Sequence, residues 1–338
     1  MARAMAAVAW AAAGLRRARA AATLRTIPLG GLLLSAAASA CSLQEVVLVD
    51  PEDVVVAEAH VQVGTVAPGG NRVTVLLHRT LGPGGVSRAV PGARVSVRRS
   101  DGLTLELAET DLHECAAITP VNGTGSCFWA APAAASRLAE GDTLELTVEL
   151  PGGGGLFSRA VVPGAFAFVG LGDGARCRVP GDTPLELRWT SSGGAWAYIN
   201  ETLISGLTDA LRPRGIEVDP ADDPLYLLGL SISAVDTTIV LPGEFGVFNR
   251  FELDQALARE LQKGLPPGTD AEVTVAAADR NYVNWVRGGS FNPSGQVRIP
   301  SVQGDGTGVF GATVVRRLHV FADPAGAGYD LPVCPGVS

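Results

Sequence analysis

The sequence predicts a mainly β chain: an antiparallel β-sandwich over about residues 53–168, followed by a second β-rich domain over 169–338 that carries two or three short helices. Three observations predict it. After position 53, apolar and polar residues alternate with a period of two for more than a hundred residues, as in strands with one buried and one wetted face. The 42 glycines and 22 prolines lie singly and in pairs between short Val/Leu/Thr runs, which favours many short strands over a helical bundle. The turns are themselves legible, as PGGN, GPGG, RSDG and EGD. With 47% hydrophobic residues among 338, the chain can bury one large core or two ordinary ones.

The chain begins with a different kind of segment. Residues 27–40 are apolar and follow a basic patch of Arg16, Arg17, Arg19 and Arg25. A membrane-crossing helix needs about 20 apolar residues, and these fourteen are interrupted by Pro28 and two glycines. Their proportions are those of a signal-peptide core, so 1–40 is read as a signal peptide. Its prefix is long for such a signal, as an over-early start codon would produce. Ala38-Ser39-Ala40 before Cys41 resembles the lipobox of bacterial lipoproteins, whose cysteine becomes the lipidated N-terminus. On that reading Cys41 is the lipidation site, the membrane is a partner through its anchor, and 41–52 is an acidic tether. Ser42 fits sorting to the outer membrane. Ala38 stands where the lipobox usually has Leu, and plain cleavage after A-x-A is the competing reading. It would leave Cys41 as an odd thiol in an oxidising compartment.

The strands follow in order. In VVVAEAHVQV one face is Val55, Ala57, Ala59, Val61 and Val63, and Glu58, His60 and Gln62 face the other way. RVTVLLH repeats this with Val73, Val75 and Leu77, ARVSVRR with Val95 and Val97, and LTLELAE with Leu103, Leu105 and Leu107. DTLELTVEL closes the set with Leu144, Leu146, Val148 and Leu150. The second region mixes strands (LELRWTS, AWAYIN, LYLLGLSIS, AEVTVAAA) with helical patterns. NRFELDQALARELQKG has a capping box at Asn249 and Glu252, a stripe of Leu253, Leu257 and Leu261, and a stop at Gly264 and Pro266. NETLISGLTDALRP aligns Leu203, Leu207 and Leu211 as a second helix ending at Pro213, and DRNYVNWVR is a short third with Tyr282, Trp285 and Val286 on one face.

Without residues 1–40 the chain has 21 basic against 34 acidic residues, a net charge of −13, which disfavours nucleic acid as a partner. Lys263 is the sole lysine, a bias that composition of the genome explains. The body holds four cysteines: 115, 127, 177 and 334. An even number in an exported chain suggests disulfides, with three possible pairings. Spacing favours Cys115 with Cys127 and Cys177 with Cys334; four buried thiols are the alternative, and no CxxC or CxxH supports zinc.

Catalytic patterns are scarce. Lys263 is followed by Gly264, so there is no Walker loop, and GDGTG at 304–308 reads as a tight turn before a strand. GGSFNPSG lacks the last glycine of a nucleophile elbow because Asn292 stands there. None of His60, His78, His113 and His319 lies in HExxH; His60 and His78 sit on outward strand faces, an ordinary solvated pair or a weak surface metal site. Asp219, Asp222 and Asp223 in DPADDP form an acidic loop without EF-hand spacing. Trp189, Trp196, Tyr198, Tyr282 and Trp285 sit on apolar faces, as core residues or, in the minority reading, a sugar platform. No catalytic residue, metal or cofactor is expected.

Several of these features occur together in a familiar order. The lipobox-like cysteine and acidic tether precede DVVVAEAHVQV, PGARVSVRRSDG and DTLELTVEL, and RNYVNWVRGG and SVQGDGTGVFGATVV stand near the end. This order resembles a family of predicted outer-membrane lipoproteins, domain of unknown function 4249. The resemblance implies an immunoglobulin-like first domain, a second β-rich domain and an envelope protein accessory to transport; it carries over no catalytic residue. The function expected is a lipid-anchored binding or assembly module at the outer membrane, with an outer-membrane protein or an extracellular polymer as partner. An envelope hydrolase acting on glycan or peptide between the domains, and a purely structural envelope lipoprotein, are the alternatives.

Overall fold

The computed structural model describes residues 53–64, 70–80, 87–115, 124–231, 233–243, 255–288 and 299–337. Cys41, the signal segment, the tether and the pair Asn249/Glu252 lie outside the described residues. From Pro51 to Ser338 the chain forms one compact unit. Among the described residues no helix is long and apolar enough to cross a membrane.

The N-terminal half is built from β1 (Val55–Val63), β2 (Arg72–Arg79), the short β3 (Arg88–Ala89), β4 (Arg94–Arg99), β5 (Thr104–Thr110), β6 (Ser126–Ala130), helix α1 (Pro132–Ala135), β7 (Thr143–Glu149) and β8 (Gly155–Val161). Antiparallel pairing runs β1-β2-β6-β5-β4-β7-β8, with β3 beside β2. The expected alternation is observed in β4, β5, β7 and β8, whereas β1 and β2 are buried on both faces over Val55–Ala59 and Val73–Leu77. Ala57, Val75, Val97, Leu105, Leu146 and Leu156 are each at most 1% exposed and join a single core. Apolar faces from both ends of this strand path share that core, so the antiparallel strands close over it as a sandwich. Burial of each of these Val and Leu side chains contributes about 1.5–3 kcal/mol. Truncating Leu146 to Ala would remove that contribution and leave a cavity, costing about 2–5 kcal/mol.

The C-terminal half adds β9 (Ala175–Val179), β10 (Leu185–Arg188), β11 (Ala197–Ser205), α2 (Leu207–Leu211), β12 (Leu225–Leu230), β13 (Thr238–Leu241), α3 (Gln255–Leu261), β14 (Asp270–Ala278), α4 (Arg280–Arg287), β15 (Gln303–Gly304) and β16 (Gly306–Ala322). The 17-residue β16 organises the whole unit. It runs parallel to β1, with Val55 opposite Gly306 and Val63 opposite Val314. Its other edge pairs antiparallel with β14, and its last residues pair parallel with β9. The sheet path β12-β11-β14-β16-β1-β2 therefore crosses position 168, and the boundary expected there falls inside one unit.

One predicted helix is corrected. Leu203, aligned with Leu207 and Leu211 in the sequence, lies instead in β11 between β12 and β14. Tyr198, Asn200, Thr202 and Ile204 are its buried, period-two face, and β-branched Ile and Thr suit a strand. The helix starts only at Leu207, after Gly206 at φ 85°, a left-handed conformation that suits glycine. The other two predicted helices are present as α3 and α4, the described part of the first covering Leu257 and Leu261.

The cysteines pair as spacing favours. Cys115 and Cys127 have Cα atoms 5.8 Å apart and pack with Leu76 in a small separate core. Cys177 and Cys334, at 4.9 Å, tie β9 to the C-terminal tail. Backbone hydrogen bonds flank this second bridge: Arg178 N donates to Pro332 O, and Cys334 N to Arg178 O.

Candidate functional site

Helix α4 is placed by its first residue and by a glycine beneath it. Asp279 follows β14; its backbone N donates to Ala312 O at 3.0 Å, and its carboxylate caps the helix by accepting from Tyr282 N at 2.8 Å. Burial raises this carboxyl to about 7. Val283 is fully buried against Ile199, Ala276, Ala278 and Val315 on the back of the sheet. Tyr282 lies directly over Gly311, where an added Cβ would come within 2.8 Å of the tyrosine Cβ. Only glycine lets helix and strand approach so closely.

Tyr282 also covers His60, with ring centroids 4.5 Å apart and planes at 86°. The outward, solvated reading of His60 is thereby corrected. The residue as a whole is half-buried, but Nε2 is fully covered and has no hydrogen-bond partner among the described residues, and desolvation lowers the imidazole to about 4. Glu58, two residues before it, is only 5% exposed. The alternation placed these side chains on the correct face, but a helix from far along the chain covers that face. His60 and His78 stand opposite Thr74 and Val56. Four ladder positions separate them, roughly 13 Å, so they do not form a metal pair.

The first turn of α4 also joins two strands. Asn281 donates through Nδ2 to Arg159 O of β8 at 2.8 Å and to Phe310 O of β16 at 2.9 Å. Ser158 Oγ donates to Ser301 O at 2.7 Å, and Ser301 Oγ accepts from Phe310 N at 2.9 Å. β15 then pairs with β8, Gln303 opposite Phe157. Between the outer face of β7 and β8, the start of α4 and residues 299–303 lies a groove of about 630 Å³.

The groove is polar with one bare ring. Glu145, Phe157, Arg159, Arg280, Asn284 and Gln303 supply its functional groups. Phe157 is 55% exposed, an apolar side chain on the wetted face of its strand. Glu145 pairs with Arg98, whereas Arg280 lies over the Trp196 ring at 5.1 Å. The groove offers guanidinium and amide hydrogen-bond donors, amide acceptors and an aromatic face. Its two serine hydroxyls already bond to backbone.

Other sequence candidates take structural places. Trp189 and Tyr198 are core residues, 5.3 Å apart edge to face, and Trp196 is the exposed member at 42%. Asp223 accepts from Gly206 N and Thr208 N, and Asp219 from Ala221 N, so the acidic loop caps turns. Asp305, in the glycine-rich turn, accepts from Gly155 N at 2.9 Å. Among the described residues no cluster of three or more His, Cys, Asp or Glu could hold a metal ion. Sequence reading missed the groove; its one local signal was Phe157 at a polar position of GLFSRAV.

No protein-family model matches the chain, and none of the curated proteins matches it. Among solved structures it is similar to the fibronectin(III)-like modules of Clostridium thermocellum CbhA, at 11% identity and a TM-score of 0.22, covering 80% of this chain and 92% of that one. It is also similar to Dpr11 IG1 bound to DIP-gamma IG+IG2 (9% identity, TM-score 0.17, 81% and 100% covered) and to DIP-gamma IG1+IG2 (8%, 0.17, 81% and 99%). Scores this low carry no argument about ligand or role.

Proposed function

We propose that this chain is a lipid-anchored cell-envelope protein, held at the outer membrane through Cys41, that works as a binding and assembly accessory. Its partner, an extracellular polymer or another outer-membrane protein, is taken in the groove beside α4. The observation that carries this reading is the make-up of the groove: donors and one bare ring on a hydrogen-bonded sheet, with both serine hydroxyls bonded to backbone. Such a lining suits recognition more than covalent chemistry. Two disulfides support an oxidising compartment, and the resemblance of Ala38-Ser39-Ala40-Cys41 to a lipobox supports the anchor.

Two measurements test the two parts of the proposal. Fractionation of bacteria expressing the full chain should find it with the outer membrane, and Cys41→Ser should release it into the soluble fraction. A Cys41→Ser protein that stays with the membrane would refute the anchor. Cross-linking in whole cells through a photoreactive residue at position 284 should capture the partner, and the same residue at Glu106, outside the groove, should not. Equal capture from both positions would refute the groove.

A further inference from the structure

We infer that the groove selects an anionic polysaccharide, a sugar polymer bearing carboxylates; this rests on reading the groove as the ligand site. Charge is the first ground. The chain beyond residue 40 is acidic, with 21 basic against 34 acidic residues, and many of its guanidiniums are neutralised. Arg98 pairs with Glu145, Arg178 with Asp323, and Arg214 with Asp182 and Glu260. Arg159 and Arg280 differ: among the described residues neither has a carboxylate within ion-pair distance, both are exposed, and both line the groove. With Glu145 offset by Arg98, the groove is a positive island on an acidic body. A neutral ligand leaves both cations unsatisfied, whereas a carboxylate can accept a forked pair of hydrogen bonds from each.

The second ground is the ring. Phe157 and Arg159 are two residues apart on β8 and share its outer face, with Thr147 and Glu145 opposite them on β7. A bare ring beside a guanidinium can meet the C–H face of a sugar while its carboxylate reaches the cation. The amides of Asn284 and Gln303 offer donors and acceptors to hydroxyls. The third ground weighs against a polypeptide. Strand addition needs a free edge, and the outer edge of β8 is occupied: β15 pairs with Leu156 and Phe157, Asp305 N donates to Gly155 O, and Asn281 donates to Arg159 O.

The experiment is titration calorimetry of the full chain in detergent micelles with polygalacturonate, dextran and polyglutamate. Polygalacturonate should bind at least tenfold tighter than dextran and weaken as NaCl rises. Arg159→Gln with Arg280→Gln should reduce that affinity at least tenfold without moving the thermal midpoint, and Arg159→Gln alone should reduce it less. Dextran binding as tight as polygalacturonate, unaffected by the arginine changes, overturns the anionic class and leaves the groove reading standing. Tighter polyglutamate binding overturns the glycan. Polygalacturonate binding that survives both the arginine pair and Phe157→Ala overturns the inference and the groove together. Binding of none of the three polymers overturns the inference alone, because cross-linking from position 284 tests the groove separately.

Discussion

The two disulfides differ mainly in the length of chain they close, so their removal should have different costs. Cys177–Cys334 spans 157 residues and Cys115–Cys127 spans 12. In the chain-entropy account, closing the unfolded chain over those lengths stabilises the fold by about 5 and about 3 kcal/mol, a difference of about 2 kcal/mol. All four cysteines are at most 2% exposed, so paired alanines are the suitable replacements, since they bury no new hydroxyl. Neither deletion should unravel the native state. Arg178 Nε donates to Leu331 O at 3.0 Å and Cys334 N to Arg178 O at 2.8 Å, which keeps the tail seated, and the shorter bridge lies in its own small core. Urea unfolding of the double variants Cys177→Ala/Cys334→Ala and Cys115→Ala/Cys127→Ala measures both costs. At about 2 °C per kcal/mol, the thermal midpoints should fall by roughly 10 °C and roughly 6 °C. Equal losses, or a larger loss from the short loop, would refute the reasoning, because the unfolded-state term fixes the order.

Further outcomes follow from helix α4 and the residues it covers. Asp279, raised to about 7, keeps a proton that the unfolded chain releases near 4, so its contribution falls as pH rises through that window; Asp279→Asn keeps the cap and should be the more stable protein at pH 8 by up to about 4 kcal/mol. His60, lowered to about 4, has the opposite slope: its stability is present above about 6.5 and is lost as pH falls towards 4, so Asp279→Asn should lose stability on acidification more steeply than wild type; parallel urea midpoints would contradict the Asp279 assignment, and a variant midpoint that does not fall between pH 6.5 and 4 would contradict that of His60. Gly311→Ala drives a methyl into Tyr282 and should cost about 1–3 kcal/mol while the His60 imidazole, followed by NMR, moves back towards its ordinary value. Asn281→Ala leaves the Arg159 and Phe310 carbonyls short of a donor, which should cost about 1–3 kcal/mol and speed hydrogen exchange along β8; unchanged exchange would show that the edge does not depend on it.

Strands that alternate were legible in the sequence, and those that do not were misread or left unplaced. β4, β5 and β7 each have one wet and one dry face, so Val95, Leu105 and Leu146 could be assigned inward from spacing alone. β16 is buried without interruption from Gly308 to Arg316, so period two gives no signal there, and nothing local shows that it lies between β1 and β14. The first part of β11 was legible as the strand AWAYIN, but its second part was read as helix because Leu203, Leu207 and Leu211 happen to fall four apart across a strand–turn–helix junction. Disulfide pairing was readable because loop length is written in the chain. The groove was not, because Arg159, Arg280 and Gln303 come together only through tertiary structure.

The position of β16 in chain order has a consequence for synthesis and export. The strand on which both halves are built leaves the ribosome or a translocation channel after every other described strand. Until it arrives, β1 has only one neighbour and β14 lacks the partner on its open side. Bringing the ends together must close a loop of most of the chain, which is an entropic cost met late. The sandwich is therefore an obligate latecomer: a chain cut after residue 168 is an unfinished fold with an open edge, and any protein fused behind Ser338 waits on the same final strand.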